Sequence, residues 1–365
     1  MTHRLGEAAE ISSVAVSTLA PPDAETKTKR RSGSTKTGLI WAAPLAPWLW
    51  FLIRGLHSSL DLVAIALPLV VIVAAVISFY ATVTRTSLRW LLMTLSLSAF
   101  FLVAVIAPWR PTNGNAPVDS IRIATVNTGL YWFSDNDVGF LVNQQQPDLI
   151  IGGELTEAHD VELRSRFPHA QADILPLERQ QANEVALQPE GDGFRRNGLP
   201  SIGVYSSLEM ELLDDPIAGI IDGGLPGFRL QVETESGPVI LYALHIPRPL
   251  GDNGSYELPV SGHVELVNAI ADAVDAETLP TIVAGDLNTV DRGQSYRRLT
   301  ENLVDGMRHD GWAVPTANRE FPFPLLFARI DHVLMSPTLC TENTASLTTR
   351  FADHRPLVAD IGPCQ

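Results

Sequence analysis

The sequence predicts an α+β domain of two packed sheets, preceded by a membrane region. Two observations lead to this prediction. Short β-branched runs divided by turns fill the C-terminal part of the chain and outnumber the helical patterns there. Long apolar stretches fill the region before them. A chain of 365 residues with 45% hydrophobic content is long enough for one large domain and additional elements.

Residues 1–37 are expected to form a disordered, basic tail in the cytoplasm. They are rich in Ser, Thr, Ala and charged residues, with a basic run, KTKRR, at 27–31. A signal peptide is disfavoured because the basic run lies far from the first residue and several apolar stretches follow it.

Three apolar stretches, at 38–53, 60–83 and 88–108, predict three transmembrane helices within a membrane domain at 38–109. A spanning helix needs about 20 apolar residues, which the second and third stretches supply. The first is short and contains Pro44 and Pro47. A buried helical hairpin of a soluble protein is the alternative. Several tryptophans lie near the stretch ends and are expected at the membrane interface: Trp41, Trp48, Trp50, Trp90 and Trp109.

The basic residues predict a multi-pass protein of the cell membrane whose C-terminal domain is extracytoplasmic. Five lysines and arginines between 27 and 36 precede the first stretch, and Arg85 and Arg89 lie between the second and third. Both groups should face the cytoplasm, so three spans place Arg110 and the following residues outside. If the first stretch does not cross, the domain is inside instead.

Two further features concern the domain at 119–365. Residues 110–118 contain PTNGNAP and are predicted to form a short linker. Cys340 follows a predicted strand at 330–335, and Cys364 follows another at 357–361. If these strands are antiparallel neighbours, the two cysteines could form a disulfide, which would fit an oxidising compartment. Two unrelated free thiols are the alternative.

The domain pattern predicts eight strands, two amphipathic helices and three loops around a site. Helical spacing occurs at 138–142 and again at 264–274. The loops at 188–198, 214–227 and 251–260 are Gly-rich and acidic, and we expect them to border the site. The strands are predicted at 121–126, 149–151, 201–205, 228–233, 239–245, 281–284, 330–335 and 357–361.

Polar side chains follow several of these strands, where a buried sheet meets solvent. Carboxylate and amide oxygens are the ligands that a hard cation such as Mg²⁺ prefers, and histidines move protons or stabilise charge. The sequence therefore predicts the elements of metal-assisted phosphoester hydrolysis at one sheet edge. The residues are Asn127, Glu154, His245, Asp286, Asn288, Asp331, Asp353 and His354.

The order of the motifs GDLN at 285–288, IDHV at 330–333 and DHRP at 353–356 resembles the endonuclease/exonuclease/phosphatase (DNase I-like) superfamily. The resemblance covers roughly residues 121–361 and implies a four-layer αββα sandwich with a divalent cation, Mg²⁺ or Mn²⁺. In the family a Gln usually precedes the metal-binding Glu, whereas this chain has Gly153 before Glu154. Glu157 is the alternative metal ligand, although it lies beyond the apolar strand.

The resemblance also implies catalytic roles for the last motifs. Asp286 orients or deprotonates the attacking water, and Asn288 holds the phosphate. His354 acts at the scissile phosphate, while Asp331 hydrogen-bonds it and fixes the ring tautomer. The base is assigned to Asp286, although the family also supports arguments for His354. An Asx turn at Asp286 and a surface turn at 353–354 are the purely structural alternatives.

The remaining positions are expected to bind metal and phosphate. Glu154, Asn127 and Asp353 are the predicted metal site. His245 is predicted to bind phosphate or act as a general acid, because the family has a histidine in the cleft at this strand end; a hydrogen-bonded core histidine is the alternative. Arg248 is a candidate phosphate contact, since guanidinium matches phosphate oxygens in bidentate fashion, and its alternative is a solvated loop residue.

The charge distribution bears on the substrate. Residues 111–365 contain 16 arginines, no lysine and 36 acidic residues. An acidic surface repels polynucleotides at long range, so nucleic acid is possible but not favoured. The sequence therefore predicts a membrane-anchored, metal-dependent phosphodiesterase or phosphatase that contacts the lipid bilayer; it identifies no protein partner. An extracytoplasmic nuclease and a non-catalytic binding module of the same fold are the alternatives.

Overall fold

A computed structural model describes residues 43–85, 87–112, 114–129, 135–174, 201–250, 256–309, 311–317, 328–348 and 354–365. The predicted tail, the 188–198 loop and part of the 251–260 loop lie outside the described residues, as does the metal-ligand candidate Asp353.

Apolar helices precede the sandwich: α1 (Ala46–Ile53), α2 (Leu60–Arg85) and α3 (Leu88–Phe101). Helix α3 continues through a π-helical turn, Leu102–Ile106, and a 3-10 turn, Ala107–Trp109. Two helical stretches, Leu60–Arg85 and Leu88–Trp109, are long and apolar enough to cross a membrane, by length and composition. Helix α1 has 8 residues, about 12 Å at 1.5 Å per residue, against a hydrocarbon core of about 30 Å. A third spanning helix is therefore not seen in the described part of the chain.

Two six-stranded mixed sheets form the centre of the domain. The first sheet has the order β11-β12-β1-β2-β4-β3 and the second β5-β6-β7-β8-β10-β9. The strands are β1 (Ile121–Asn127), β2 (Leu149–Gly153), β3 (His169–Asp173), β4 (Ile202–Ser206), β5 (Met210–Leu212), β6 (Gly227–Thr234), β7 (Gly237–His245), β8 (Thr281–Asp286), β9 (Val304–Asp305), β10 (Asp331–Met335), β11 (Leu339–Ser346) and β12 (Leu357–Pro363).

Helices cover the outer face of each sheet, which gives the predicted αββα order of layers. Apolar side chains from both sheets, such as Ile123 and Leu241, form the core between them. Helices α4 (Asp135–Gln145) and α5 (Glu157–Arg164) pack on the first sheet, and α6 (Val260–Asp275) and α7 (Gln294–Leu299) pack on the second. Successive side chains of a strand point to opposite faces, and the central strands are buried along their whole length, so both faces of each sheet make apolar contacts.

Every predicted strand is present, but four others were missed. Strands β3, β5 and β9 are short or only partly buried, and β11 contains Thr, Glu and Asn, so none has a strong apolar pattern. This changes the explanation of the disulfide, which is present between Cys340 and Cys364. The strands β10 and β12, whose pairing was the stated condition for the bridge, lie in different sheets. Cys340 instead lies on β11, opposite Gly362 of the antiparallel β12.

Two parallel strand pairs bring the predicted site residues to one end of the sandwich. Strand β1 runs parallel to β2, with Asn127 opposite Gly153, and β7 runs parallel to β8, with His245 opposite Asp286. Strand β10 is antiparallel to β8 and begins opposite its end, with Asp331 facing Asp286. The ends of β1, β2, β7 and β8 and the start of β10 therefore form one edge.

Candidate active site

Glu154 is held at the end of β2 in a backbone conformation that is uncommon for a residue with a side chain. Its φ is 52°, in the left-handed region, where only local contacts keep a non-glycine residue. Its amide donates to the Ser201 carbonyl at 2.9 Å. Its own carbonyl accepts from Thr128 Oγ1 at 2.7 Å. These bonds fix the direction of the buried Glu154 carboxylate.

Asn127 joins the two sheets at the site. Its Nδ2 donates to Glu154 Oε1 at 3.2 Å and to Asp286 Oδ2 at 2.9 Å. Its Oδ1 accepts from the Gly129 amide at 3.0 Å, which fixes the orientation of the side-chain amide. The amide therefore sets the spacing between one carboxylate from each sheet.

The GDLN segment turns sharply after β8. Gly285 has a φ of 132°, and a Cβ there would lie 2.0 Å from the Leu244 carbonyl oxygen, so only glycine fits beside β7. Asn288 also has a left-handed φ, 47°. Its amide donates to Asp286 Oδ1 at 3.0 Å, and its Nδ2 donates to the Ile246 carbonyl at 2.8 Å. The segment thus holds the side chains of Asp286 and Asn288 in fixed positions.

Asp331 and His354 form a buried pair beside Asp286. The Oδ2 atom of Asp331 lies 2.8 Å from Nδ1 of His354, the pairing expected from the sequence. On the other side of the ring, Nε2 lies 3.9 Å from Asp286 Oδ2. Oδ1 of Asp331 is buried and has no hydrogen-bond partner among the described residues. Ligand atoms of Asp286, Asp331 and His354 all lie within 4.8 Å of one another.

His245 is buried between the carboxylates of the two sheets. Its Nε2 lies 3.8 Å from Glu154 Oε1 and 4.0 Å from Asp286 Oδ2. Neither ring nitrogen has a hydrogen-bond partner among the described residues. Burial lowers the pKa of His245 to about 4, despite the attraction of Asp286. The ring is therefore neutral near pH 7 and can donate or accept a hydrogen bond without adding a positive charge.

Burial and a neighbouring carboxylate raise the pKa of Asp286. Burial raises the pKa of its carboxyl, and the Asp331 carboxylate raises it further, against the opposing effects of His354, His245 and the Asn127 hydrogen bond. A buried carboxylate with a raised pKa is a better proton acceptor than an exposed one near neutral pH.

The other candidates differ in their distance from this cluster. Arg248 Nη2 lies 3.3 Å from Glu154 Oε1, so this arginine borders the cluster. Glu157 is exposed in the first turn of α5. His332 points away, with Nε2 2.8 Å from the Thr289 carbonyl. Tyr256 was not predicted as a site residue, although its ring lies 4.8 Å from that of His245 and its hydroxyl donates to the His245 carbonyl. No motif marks it, because it lies in a loop without periodicity.

The donor set suits a hard divalent cation. Three buried carboxylates, of Glu154, Asp286 and Asp331, supply the oxygen ligands that hard cations prefer. Asn127 faces Glu154 and Asp286 with its Nδ2, while its oxygen accepts from the Gly129 amide. The unpartnered Oδ1 of Asp331 is a further oxygen available to a ligand. No cysteine is involved, because both cysteines form the disulfide.

Comparison with known proteins identifies the family. The profile of the Endonuclease/Exonuclease/phosphatase family matches residues 141–354, more than half of the chain. The chain therefore belongs to the endonuclease/exonuclease/phosphatase family. No curated protein sequence matches it.

Three solved structures illustrate the similarity. An endonuclease/exonuclease/phosphatase from Beutenbergia cavernae DSM 12333 is 19% identical, with 67% of this chain and 72% of that chain covered and a TM-score of 0.47. The 3′ phosphatase NExo from Neisseria, bound to a product DNA hairpin, is 14% identical, with 66% and 98% covered and a TM-score of 0.43. An AP endonuclease from Archaeoglobus fulgidus is 14% identical, with 66% of this chain and 98% of that chain covered and a TM-score of 0.43. The family assignment rests on the profile match.

Proposed function

We propose that this protein is a membrane-anchored, divalent-metal-dependent phosphoester hydrolase. The observation that supports this proposal most directly is the buried convergence of three carboxylates and two imidazoles at one end of the sandwich. Glu154 and Asp286 are hydrogen-bonded through Asn127, Asp331 is hydrogen-bonded to His354, and the His245 ring lies 3.8 Å from Glu154 Oε1, so the five side chains form one cluster. Burying so much acidic charge is unfavourable unless a cation or protons compensate it. A catalytic site explains the arrangement better than a structural role.

In the proposed reaction, water attacks phosphorus in line and the bond to the leaving oxygen breaks. Asp286 orients the water and accepts its proton, consistent with its raised pKa. His354 acts at the phosphoryl group, and Asp331 holds its ring through Nδ1.

Other side chains would bind the phosphate. Asn288 and the neutral ring of His245 would hydrogen-bond its oxygens, and Arg248 would contact them at the border of the cluster. A bound Mg²⁺ or Mn²⁺ would supply charge stabilisation at the phosphoryl oxygen. Glu154 would hold the cation, Asn127 would orient the Glu154 carboxylate through its Nδ2, and Asp353 remains a predicted ligand.

We further propose a lipid-borne phosphoester as the substrate. The apolar helices lie beside the cluster, because Val290 and Ile330, just after Asn288 and just before Asp331, pack against side chains of α2 and α3. A site next to a membrane-spanning pair is near lipid headgroups. The acidic domain, with 16 arginines against 36 acidic residues, disfavours a polynucleotide.

The domain is proposed to lie outside the cytoplasm, although two spanning helices alone would put residues 1–37 on the same side as the domain. The proposal therefore requires either that the first apolar stretch also crosses, part of which (38–42) lies outside the described residues, or that the tail lies outside despite its basic run. Arg85 and Arg89 flank the turn between α2 and α3, and basic residues at such a turn favour the cytoplasmic side. If that turn is cytoplasmic, residues after α3 are on the opposite side. The Cys340–Cys364 disulfide is consistent with an oxidising compartment.

The proposal is tested with the full-length protein in detergent or lipid vesicles. Hydrolysis of lipid phosphoesters, bis-(p-nitrophenyl) phosphate, p-nitrophenyl phosphate and plasmid DNA would be measured with Mg²⁺, with Mn²⁺ and with EDTA. We expect lipid phosphoester hydrolysis that EDTA abolishes. EDTA-resistant turnover would refute the metal dependence, DNA as the preferred substrate would favour the nuclease, and metal-dependent binding without turnover would favour a binding module.

Matched variants separate the site residues from their neighbours. Glu154→Gln and His354→Ala should each lower kcat by at least about 10²-fold, as expected for single charge-stabilising or acid–base groups. Only Glu154→Gln should also weaken the apparent affinity for the metal. Glu157→Gln makes the same chemical change three residues away at an exposed position, and activity should be unchanged. Loss of activity in Glu157→Gln but not in Glu154→Gln would indicate that Glu157, and not Glu154, binds the metal.

A further inference from the structure

A second buried charged cluster includes Asp291, in the loop that follows β8 and carries Asn288. Arg329 Nε donates to Asp291 Oδ1 at 2.9 Å, and its Nη2 pairs with both Asp291 and Asp305. The Tyr296 hydroxyl donates to Asp305 Oδ2 at 2.7 Å. Carboxylates of Asp291 and Asp305 lie close enough to a ring nitrogen of His332 to resemble a cation site. Because the Arg329 guanidinium already bridges the two carboxylates, the cluster is an ion-pair network and not a metal centre.

The last apolar helical segment is hydrogen-bonded to this cluster. The indole Nε1 of Trp109 donates to Asp291 Oδ2 at 2.5 Å. Trp109 is only 5% exposed, so its ring is packed inside the protein and not on its surface. Burial alone would raise the pKa of Asp291, but the Arg329 charge and hydrogen bonds that include the one from Trp109 bring it below its ordinary value.

Further contacts fix the same loop to helix α2. The Asp61 carboxylate accepts from the Gln294 amide at 2.7 Å, at the start of α7. The buried Arg292 donates from Nε to the Ala64 carbonyl at 2.5 Å. Residues 290–295 are thus held by both apolar helical segments.

The cluster is joined to the catalytic residues through short pieces of backbone. Asp291 lies three residues after Asn288, and Arg329 lies two residues before Asp331. The Leu287 amide donates to the Ile330 carbonyl at 2.9 Å, which ties the two pieces together. A shift of Asp291 or Arg329 is therefore transmitted to both catalytic carboxylates.

We infer that Trp109 and Asp291 are positioning residues for the proposed hydrolysis, and that the apolar helices form part of the catalytic unit. The indole N–H donates a hydrogen bond to one oxygen of the buried Asp291 carboxylate and so fixes the loop that carries Asp286 and Asn288. Misplacement of catalytic groups by about 1 Å can lower turnover by about 10²-fold. The inference rests on the hydrolase function proposed above, but its geometric part can be measured independently.

The test compares two tryptophan replacements in the full-length protein. Trp109→Phe removes the N–H bonded to Asp291. Trp50→Phe is the matched control, because Trp50 is buried among the same helices and its Nε1 donates to the Leu60 carbonyl at 3.2 Å within the helical region. Hydrogen–deuterium exchange of peptides covering 286–293 and the kcat and KM of the preferred substrate would be measured for both.

Trp109→Phe should speed amide exchange at 286–293 by about tenfold or more, since a lost hydrogen bond to a charged group frees the loop locally. It should lower kcat about 10- to 100-fold with KM changed less than about twofold. Trp50→Phe should change neither. Equal exchange in the two variants would overturn the inference, with or without detectable hydrolysis. Faster exchange with unchanged kcat would overturn the inference that Trp109 positions catalytic groups. A wild-type protein without hydrolysis would refute the proposed function, but the exchange comparison would still test whether Trp109 fixes the loop.

Discussion

Replacing Arg329 with methionine should destabilise the protein far more than replacing any exposed arginine. Arg329 is 1% exposed and pairs with two buried carboxylates, those of Asp291 and Asp305. Arg329→Met keeps much of the apolar volume but leaves both carboxylates without their cation. Removing one partner of a buried ion pair costs about 3–5 kcal/mol, because the remaining charge is desolvated and unpaired.

Arg298 provides the control, since it also contacts several carboxylates. Its partner Asp272 has a side chain that is 74% exposed, and such surface pairs contribute about 0–1 kcal/mol. Arg298→Met should therefore have a small effect. The two variants change the same residue type and differ mainly in the burial of the partners.

The assay is thermal unfolding of the full-length protein in one detergent. For a domain of this size, about 1 kcal/mol corresponds to about 2–4 °C in Tm. Arg329→Met should lower Tm by about 6–20 °C and Arg298→Met by at most about 4 °C. Adding Asp291→Asn and Asp305→Asn to Arg329→Met should recover part of the loss, because the buried charges are removed with their partner. Equal Tm changes for the two arginine variants would refute the reasoning.

Other predictions concern pH, the disulfide and the side of the membrane. Burial lowers the pKa of His263 from 6.5 to about 4, so between these values the unfolded chain binds a proton that the native state does not. Stability is therefore lost as pH falls through this window, by about 2 kcal/mol at pH 5, and Tm should fall by about 4–8 °C. His263→Asn should lose this part of the pH dependence of Tm. A pH profile of Tm in His263→Asn that equals that of the wild type would contradict the prediction. Alkylation in denaturant should modify Cys340 and Cys364 only after reduction, and two modified thiols without reductant would refute the disulfide. Alkaline phosphatase fused after Gln365 should be active in a bacterial host, whereas fluorescence of a cytosolic reporter at the same position would place the domain inside.

The candidate site could be predicted from the sequence because each residue follows a strongly apolar strand. The strand ends fix where Asn127, Glu154 and Asp286 emerge, and the parallel pairs bring those ends together. Asp331 was predictable from the opposite end of a strand, because it is the first residue of the apolar β10. The arrangement also depends on which strands are neighbours, and the family resemblance implied the four-layer sandwich without giving that order.

Strand order was harder to predict where side chains are polar. Strand β11 begins Leu-Cys-Thr-Glu-Asn, and its burial decreases toward the end, so it lacks the alternation that marks a strand. Missing β11 made β10 seem the neighbour of β12. The disulfide was predicted correctly for the wrong reason, because Cys340 reaches Cys364 from a strand that the apolar pattern does not reveal.

The ion-pair network could not be predicted, because its members are scattered and none carries a local signal. Trp109 follows an apolar stretch, Asp291 lies in a loop, and Arg329 precedes β10. In sequence each has an ordinary explanation: an interfacial tryptophan, a turn and a solvated arginine.

Only the packing of helices α2 and α3 against the loop after β8 removes water from all three. Once water is removed, each polar group needs a partner within the protein, so the contact between the apolar helices and the catalytic domain is specific. A non-specific tether would leave these groups hydrated and would not require a tryptophan N–H at Asp291.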